Sequence, residues 1–389
     1  MTDANKAKFK KARALFPHTG EITYFNSAAY GPFASTVGKA IEDNVVLRKE
    51  ARRDDSHSAF CTADELRQDF AKLTGASKKQ IGLALNTTFG LNLAAFGLPL
   101  KRGDEILLSD IEFPAAVYTF KGAAKTRGLK VRFVKSHGLR FDIDELLKAI
   151  GPKTRLLCLS YVQFFNGFKN DLATIGEICA KHKMFFVVDG IQGMGAEPVN
   201  LRKLPVDVFA SGCQKWMLGP HGTGFFYLAD SVRDRLIPPF MTWLGVDWKM
   251  NFSDLLHYRR PYFDAARRFE TGSYPAMNLS GLKEAVKIFQ MLGIKNIQRH
   301  NHALIDRLVG YLRTNPFYYI TASLEAEHRS SIFTFACKDL TALHRFLLDR
   351  KIILVRREGS IRVAVHLFND DSDIDRLIRA LDEFARENR

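Results

Sequence analysis

The chain has 389 residues, of which 46% are hydrophobic and 25% are charged, as is typical of a soluble globular protein. This length is too great for one small core, so we expect one large domain and a smaller one. Lysine and arginine outnumber aspartate and glutamate by 57 to 42, which gives a net charge of +15. These cations are spread along the chain without a helix-turn-helix, zinc-finger or RNA-binding motif, which argues against specific nucleic-acid binding and favours attraction of small anions.

Membrane insertion and secretion are not expected. No run of about eighteen apolar residues is present, so no transmembrane helix is predicted. The N-terminal stretch MTDANKAKFKKARALF lacks the apolar segment of a secretory signal and instead predicts a short basic amphipathic helix. The five cysteines are scattered and contain no CxxC pair, which indicates neither a disulfide framework nor a zinc site. We therefore predict a cytoplasmic protein with no metal site.

Short apolar runs alternate with helical stretches between about residues 80 and 230. Strands are predicted at 80–85, 105–109, 130–134, 155–162, 184–189, 207–211 and 224–229. Helices are predicted between them near 88–98, 114–127, 142–150 and 171–183. This alternation predicts an α/β fold with a mostly parallel seven-stranded sheet covered by helices on both faces. In such sheets the ligand binds at the carboxyl ends of the strands, so the residues that follow each strand are examined first.

The pattern changes after about residue 260. A long helical stretch is predicted, followed by short strands and helices, at 278–314, 331–337, 340–350, 351–355, 360–365 and 371–387. Short strands separated by helices predict a small C-terminal α+β domain. We assign residues 20–260 to the large domain, and residues 1–19 together with 261–389 to the small domain and an N-terminal arm.

The first two strands of the sheet end in residues suited to an anion and to a ring. The strand at 80–85 is followed by NTTFGLN, where Thr87 and Thr88 would open a helix with hydroxyl and backbone N–H groups facing an anion. An ordinary helix N-cap explains the two threonines at least as well. The strand at 105–109 leads to DIEFPAA, which puts Phe113 at the rim of the sheet, either in the core or as a stacking surface.

A carboxylate closes the strand at 184–189. Asp189 is costly to bury after such an apolar run unless it meets a cation, and a protonated ring nitrogen would be one. Gln192 follows three residues later and is placed to reach the same ligand. The alternative is that Asp189 only forms a turn with Gly190.

A lysine follows the strand at 207–211. The segment SGCQKWMLGPHGTGFFY (211–227) contains Ser211, Gln214 and Lys215. A lysine in such an apolar, tightly turning segment can lose its proton and attack a carbonyl, although a lone lysine is most often solvated. Together the strand ends supply phosphate donors, an aromatic face, a carboxylate and an amine, which is the set that pyridoxal phosphate needs.

The chain resembles the class V aminotransferase family of fold-type I pyridoxal-phosphate enzymes, which includes cysteine desulfurases, selenocysteine lyases and isopenicillin-N-epimerase-like proteins. The resemblance runs from YFNSAAYGP (24–32) to IRVAVHLFND (361–370) and is most specific where VVDGIQ (187–192) combines with residues 211–227. It implies that Lys215 forms a Schiff base with the cofactor and that Asp189 pairs with the ring nitrogen.

The resemblance implies roles for the other cofactor-binding candidates. Phe113 matches the residue that stacks on the ring, and Gln192 matches the one that contacts the ring oxygen. The phosphate cup is matched by Thr87, Thr88, Ser211 and Gln214.

Further segments match the substrate pocket and the neighbouring subunit. Arg362 matches the arginine that binds the substrate α-carboxylate, a bidentate task suited to a guanidinium, and Ala28 in NSAA (26–29) matches a segment that lines the same pocket. In RRFETGSYPA (267–276), the residues Thr271, Gly272 and Ser273 match a segment that reaches into the neighbouring subunit's phosphate site. The resemblance therefore implies a homodimer with shared active sites.

Two departures from the desulfurase pattern affect the expected reaction. The segment VRREGSIR (355–362) is short and lacks the cysteine that forms a persulfide in desulfurases. In YVQFFNGFKNDL (161–172), Phe164 takes the place of an asparagine near the ring oxygen, with Gln163 beside it as a substrate-binding candidate. Sulfur delivery to an acceptor protein is therefore not expected.

The resemblance implies an enzyme that links a small α-amino acid to pyridoxal phosphate as an external aldimine. Transamination and C–S or C–Se β-elimination are the leading reactions, and epimerisation is the alternative. A non-catalytic pyridoxal-phosphate-binding protein is a further possibility, but Lys215, Asp189 and Arg362 together argue against it.

Overall fold

The computed structural model describes residues 3–52, 55–240 and 242–388. Its strands are, in chain order, β1 (Thr23–Tyr24), β2 (Ile81–Ala84), β3 (Glu105–Ser109), β4 (Lys130–Val134), β5 (Ser136–His137), β6 (Arg140–Phe141), β7 (Thr154–Ser160), β8 (Phe185–Asp189), β9 (Val208–Gly212), β10 (Gly224–Leu228), β11 (Tyr319–Ile320), β12 (Ile332–Ala336), β13 (Ile352–Ile353), β14 (Val355–Arg357) and β15 (Ser360–Ala364). Its helices are α1 (Asp3–Arg13), α2 (Ser35–Lys49), α3 (Asp55–Thr74), α4 (Thr87–Gly97), α5 (Pro114–Arg127), α6 (Ile143–Ala149), α7 (Leu172–Lys181), α8 (Asp230–Arg233), α9 (Ala276–Leu292), α10 (Ile294–Thr314), α11 (Leu340–Asp349) and α12 (Asp371–Glu387).

The central sheet has seven strands in the order β2-β10-β9-β8-β7-β3-β4. All neighbours from β9 to β4 pair in parallel, whereas β10 is antiparallel to both β9 and β2. Asp189 is paired with Ser160 of β7 on one side and with Ala210 of β9 on the other. The predicted α/β fold with a mostly parallel seven-stranded sheet is confirmed, and the strand ends named above lie on one edge.

Both faces of this sheet are covered. Side chains alternate between the faces along each strand, so Val187 packs in one apolar core with Leu91 and Phe120, while its neighbour Val188 packs in the other core with Phe70. Helices α4 and α5 supply the first of these cores, and α3, α7 and α9 supply the second. The near-continuous apolar strands of the sequence are explained by this burial on both sides.

The C-terminal part forms a second, antiparallel sheet in the order β11-β12-β15-β14. Its apolar core includes residues of α10, α11 and α12, which confirms the α+β character predicted for this region. The helix predicted over 278–314 is wrong as a single element, because Gly293 adopts a positive φ of 78° and separates α9 from α10. The strand predicted at 351–355 is also divided, since β13 pairs with β1 and β14 pairs with β15. The domain boundaries at 20 and 260 remain a prediction.

The N-terminal arm forms the basic helix expected from its sequence. Within it Arg13 makes ion pairs of 2.6 Å with Asp373 and 3.0 Å with Asp370, at the start of α12. The arm therefore packs against the C-terminal part of the chain. Across the described ranges, none of the helices is both long and apolar enough to cross a membrane.

Candidate active site

Lys215 lies just beyond the carboxyl end of β9, at the edge of the sheet where the predicted residues gather. Its Nζ atom is 5.4 Å from the centre of the Phe113 ring, and it has no hydrogen-bond or ion-pair partner within the described ranges. Burial lowers the pKa of Lys215 to about 8, against the opposing charge of Asp189, and the charges of Arg362 and Arg357 lower it further. An amine with this pKa is partly neutral near pH 7, as a nucleophile or a base must be.

Asp189 is the buried carboxylate at the end of β8. Its Oδ1 accepts a hydrogen bond of 3.0 Å from the Ile191 N–H, and none of the described cations forms a salt bridge with it. Burial raises the pKa of Asp189 to about 6, although this hydrogen bond and the charge of Lys215 oppose the shift. A buried carboxylate without a cation is costly, so this position is suited to a ligand that brings a positive charge.

Three of the predicted phosphate residues lie close together where α4 begins beside β9. The Thr87 hydroxyl accepts a hydrogen bond of 2.8 Å from the Gly212 N–H, which joins the start of the helix to the end of the strand. Ser211 is buried and donates to the Gly212 carbonyl at 3.0 Å, and the buried Oε1 of Gln214 has no partner. The helix cap is Asn86, whose side chain accepts from the Phe89 N–H, so neither threonine is needed as a cap.

The other phosphate-binding candidates, Thr88 and the segment Thr271–Ser273, are more exposed. Thr88 is exposed in the first turn of α4. Thr271 is half-buried, Gly272 and Ser273 are exposed, and Gly272 has a φ of 68°. None of the three forms a hydrogen bond with the Thr87 region in the described part of the same chain, so their role in a partner's site remains a prediction.

Gln192 belongs to a chain of buried hydrogen bonds beneath the site. Its Nε2 donates to the Ala28 carbonyl at 3.0 Å, and its Oε1 accepts from the Trp216 indole at 2.8 Å. The Trp216 carbonyl in turn contacts the His366 ring at 2.7 Å. The expected contact of Gln192 with a ring oxygen can therefore use only its second amide hydrogen.

The N-terminal segment packs directly on the lysine loop. The Gly31 N–H donates to the Gln214 carbonyl at 2.8 Å, and a Cβ atom at Gly31 would lie 2.3 Å from the Lys215 carbonyl oxygen. Only glycine fits such an approach of two backbones. That Ala28 and its neighbours line the substrate pocket remains a prediction.

Arg362 is 2% exposed and lies on β15 opposite Thr334. Its Nη1 donates to the Phe164 carbonyl at 2.5 Å, while its buried Nε and Nη2 atoms have no partner among the residues that the structure describes. Burial lowers the pKa of Arg362 to about 10, and the nearby charge of Arg357 lowers it further. Two unpartnered N–H groups on one guanidinium are the donors that a carboxylate accepts as a bidentate pair.

A second buried carboxylate, Glu112, was missed by the sequence reasoning. It accepts hydrogen bonds of 3.0 Å from the Ser160 N–H and 3.0 Å from the Gln163 amide, and another from the Ser160 hydroxyl at 2.5 Å. Burial raises the pKa of Glu112 to about 7. Gln163 is thereby held in place with its buried Oε1 unpartnered. The sequence feature that could have identified Glu112 as a site residue is its position directly before Phe113.

Two aromatic rings line the mouth of the site. Phe113 is 39% exposed and contacts Phe164 edge-to-face, with ring centres 5.1 Å apart. The exposed face of Phe113 also lies beside the Lys215 amine. These rings give an apolar wall on which a planar ligand can stack.

The residues present fit a phosphorylated pyridine aldehyde. The unpartnered amine of Lys215 suits the aldehyde, and the buried carboxylate of Asp189 suits a protonated ring nitrogen. The Thr87 hydroxyl, which accepts from the Gly212 N–H and has its own hydrogen to donate, and the start of α4 suit a phosphate. The assignment of each residue to its ligand atom remains a prediction.

A model of the family described as Aminotransferase class-V matches residues 24–380. The uncharacterized aminotransferase YcbU of Bacillus subtilis (strain 168) is 24% identical over 375 residues, which cover 96% of this chain and 96% of that protein. Isopenicillin N epimerase of Streptomyces clavuligerus is 26% identical over 336 residues, or 83% of this chain and 84% of the epimerase. The solved cystine C–S lyase C-DES, in complex with its reaction product cysteine persulfide, aligns with a TM-score of 0.85 at 24% identity over 94% of this chain and 98% of that chain. The last similarity supports the fold.

Proposed function

This chain belongs to the Aminotransferase class-V family, and on that premise we propose that it acts on a small α-amino acid as an aminotransferase or as a C–S or C–Se β-lyase. The family consists of pyridoxal-phosphate-dependent transferases and lyases, so the chain is an enzyme of that kind. The choice between the two reactions is the proposed part.

The observation that carries the proposal is the unsatisfied guanidinium of Arg362. It is buried, its Nε and Nη2 have no partner, and its charge acts on the Lys215 amine. Burying a guanidinium without its hydrogen bonds costs several kcal/mol, which an incoming carboxylate offsets. A carboxylate on Arg362 next to an amine-reactive lysine is the arrangement required to bind an α-amino acid.

The residues proposed to bind the cofactor belong to the same site. Asp189 would pair with the protonated ring nitrogen, Phe113 would cover one face of the ring, and Thr87, Ser211 and Gln214 would receive the phosphate. When bound, pyridoxal phosphate withdraws electrons from the α-carbon of the amino acid and so makes its Cα–H bond acidic.

The chain's own residues then carry out the proton transfers. Arg362 fixes the carboxylate and thereby the direction of the Cα–H bond. Lys215, neutral in part because burial lowers its pKa to about 8, takes the Cα proton and holds it at Nζ. Phe113 and Phe164, in edge-to-face contact, form the apolar wall on that side of the site. Where Lys215 returns the proton, or whether a side-chain substituent leaves instead, decides the product.

Substitution of the lysine tests the proposal. Purified protein with pyridoxal phosphate is expected to show a visible absorbance band and, after reduction with borohydride, a permanent covalent attachment of the cofactor at residue 215. Lys215→Ala is expected to lose the attachment and all turnover, whereas Lys295→Ala, at an exposed lysine on α10, keeps both. Attachment that persists in Lys215→Ala contradicts the assignment of this lysine.

Epimerisation is the second candidate, and the similarity to isopenicillin N epimerase favours it. It requires that a proton return to the opposite face of the α-carbon. Incubation with a panel of L-amino acids distinguishes the reactions, because transamination yields an oxo acid, β-elimination yields pyruvate with sulfide or selenide, and epimerisation yields the D-isomer. A persulfide-based desulfurase is not proposed, because the β14–β15 hairpin contains no cysteine.

We further propose a homodimer in which Thr271, Gly272 and Ser273 complete the partner's phosphate site. Ser273 lines a groove of about 680 Å³ together with the exposed rings of Trp243 and Phe252, which supports a subunit contact there. Coexpression of Lys215→Ala with Thr271→Glu subunits is expected to restore about a quarter of the wild-type activity, since half of the dimers then hold one intact site. Failure to recover activity would contradict shared active sites.

No disulfide joins the described cysteines, which supports the cytoplasm as the proposed location.

A further inference from the structure

Beside the proposed substrate-carboxylate site lies a second arginine on a tight hairpin. Strands β14 and β15 pair with Val355 opposite Arg362, Arg356 opposite Ile361 and Arg357 opposite Ser360. The turn between them contains Glu358 and Gly359, both with positive φ. This short turn occupies the position where desulfurases carry the longer cysteine-bearing loop.

The register puts the two neighbouring arginines of β14 on opposite faces of the sheet. Directly paired residues share a face and residues two apart on a strand share a face, so Arg357, Ser360 and Arg362 lie on one side. Arg356 shares the other face with Ile361, and its guanidinium donates to the Thr341 hydroxyl on α11. The sheet thus directs Arg357 toward the site and Arg356 toward the helix.

Arg357 has no acidic partner among the described residues. It is exposed and forms no salt bridge within the described part of the chain. Burial is the main cause that lowers the pKa of Lys215 and of Arg362, and the charge of Arg357 adds to both shifts, as expected for a cation close to the two. The buried carboxylates of the site are already engaged, since Glu112 is bonded to Ser160 and Gln163 and Asp189 faces the proposed ring nitrogen.

One carboxylate cannot satisfy this group of cations. The α-carboxylate of an amino acid engages Arg362, and the substrate amine brings a further positive charge. Arg357 is left on the same face without a counter-ion. A second anionic group on the substrate would neutralise it.

We propose that Arg357 binds an anionic group on the side chain of the substrate, so that the enzyme selects amino acids with an acidic side chain. This inference rests on the proposed function, because it assumes that Arg362 holds the α-carboxylate. The shared chemistry is a carboxylate or a sulfonate on a short aliphatic side chain. Aspartate, glutamate and cysteate differ in length and in the acid, and they serve as the probes.

The experiment is a spectral titration of the enzyme loaded with pyridoxal phosphate. Aspartate is compared with asparagine and glutamate with glutamine, because each pair has the same shape and differs in charge. At least one acidic member is expected to bind about tenfold to a hundredfold more tightly than its neutral counterpart, in the range of a charge-assisted hydrogen bond. The preference is expected to weaken as salt is added, because Arg357 is exposed.

Two variants assign the preference to one side chain. Arg357→Gln is expected to reduce it to less than about threefold by weakening the acidic ligand alone. Arg356→Gln, the adjacent residue on the opposite face, is expected to keep it. Equal affinity for acidic and neutral amino acids in the wild type, or an undiminished preference in Arg357→Gln, overturns the inference.

The same titration separates this inference from the proposed function. A protein that shows no visible band, or whose band no amino acid shifts, contradicts the proposed function. A band that neutral amino acids shift as readily as acidic ones leaves the proposed function intact and contradicts only the role of Arg357. If cysteate alone is preferred, the result supports the proposal, and the anionic group that Arg357 binds is a sulfonate.

Discussion

Two arginines of this chain are equally buried but differ in how many of their N–H groups are hydrogen-bonded. Arg67 and Arg362 are each 2% exposed. Arg67 donates through Nε and Nη2 to the two oxygens of Glu270, both at 2.7 Å, and through Nη1 to Asp64 at 3.4 Å. Arg362 makes one hydrogen bond, to a carbonyl, and leaves two nitrogens without partners. The first is a completed structural ion pair, and the second is prepared for a ligand.

The acids show the same contrast. Glu270 accepts from Arg67 and also from the Leu83 N–H at 2.8 Å, which ties the segment before Thr271 to strand β2. Burial alone would lower the pKa of Arg67, but the charge and hydrogen bonds of Glu270 raise it above its usual range. Asp189 has no such partner, and burial raises its pKa to about 6. Burial by itself therefore does not distinguish a structural charge from a functional one, whereas the count of satisfied hydrogen bonds does.

The largest expected effect is on stability at the completed pair. Arg67→Met leaves the buried Glu270 carboxylate without its cation and is expected to lower the free energy of unfolding by about 3–5 kcal/mol. Urea denaturation of the protein measures this loss. The double variant Arg67→Met with Glu270→Leu removes both charges and is expected to recover only part of the loss, because the buried Leu83 N–H then lacks its acceptor. A single variant as stable as the wild type would show that the pair contributes little.

The same substitution at Arg362 is expected to act on binding. Arg362→Met removes a buried charge that lacks partners, so the free energy of unfolding is expected to change by less than about 1 kcal/mol or to rise. Amino-acid affinity is expected to fall about a hundredfold, the scale of losing one partner of a buried charged pair. Spectral titration measures the affinity, and the cofactor band is the control. A stability loss as large as that of Arg67→Met would end the distinction between the two arginines.

Much of the fold could be predicted because its signals are local. Six of the seven central strands are largely buried, so each appears as an apolar run, whereas β4 at the edge of the sheet is mostly exposed. Both β3 and β4 match the predicted 105–109 and 130–134 residue for residue. The division at Gly293 was missed because one glycine inside a periodic stretch does not reveal its φ. Helices α2 and α3 were not predicted.

Two residues of the site could be predicted from strand ends, because Asp189 closes β8 and Lys215 lies just beyond β9, where the rule for parallel sheets places a ligand. Arg362 lies within β15 and was predicted from the family resemblance. Arg357 depends on the register of a hairpin, and Glu112 depends on burial against Ser160, neither of which spacing along the chain encodes. Arg67 and Arg362 also cannot be distinguished by their neighbours in the sequence, because each follows a stretch of mixed polar and apolar residues. They differ in their contacts with residues that are distant in the sequence.

A smaller effect is expected at Asp189, the acid that lacks a partner. Its pKa is raised to about 6, so between about pH 4 and 6 the folded protein holds a proton that the unfolded chain has lost. The stability of the cofactor-free protein therefore falls as the pH rises from about 4 to 6 and levels off above that range. Asp189→Asn removes this charge. The stability of the variant relative to the wild type is expected to rise by about 2 kcal/mol between pH 4.5 and 7.5, with nearly all of the rise below about pH 6.5.

Urea unfolding of both cofactor-free proteins across this range measures the difference. When pyridoxal phosphate is bound, the wild type is expected to be the more stable of the two proteins, because the ring nitrogen then supplies the cation that Asp189 lacks. The wild type is expected to gain more stability from the cofactor than Asp189→Asn does. A difference that stays flat from pH 4.5 to 7.5 would mean that the Asp189 carboxylate is hydrated, and that the unpaired acid is not a prepared site.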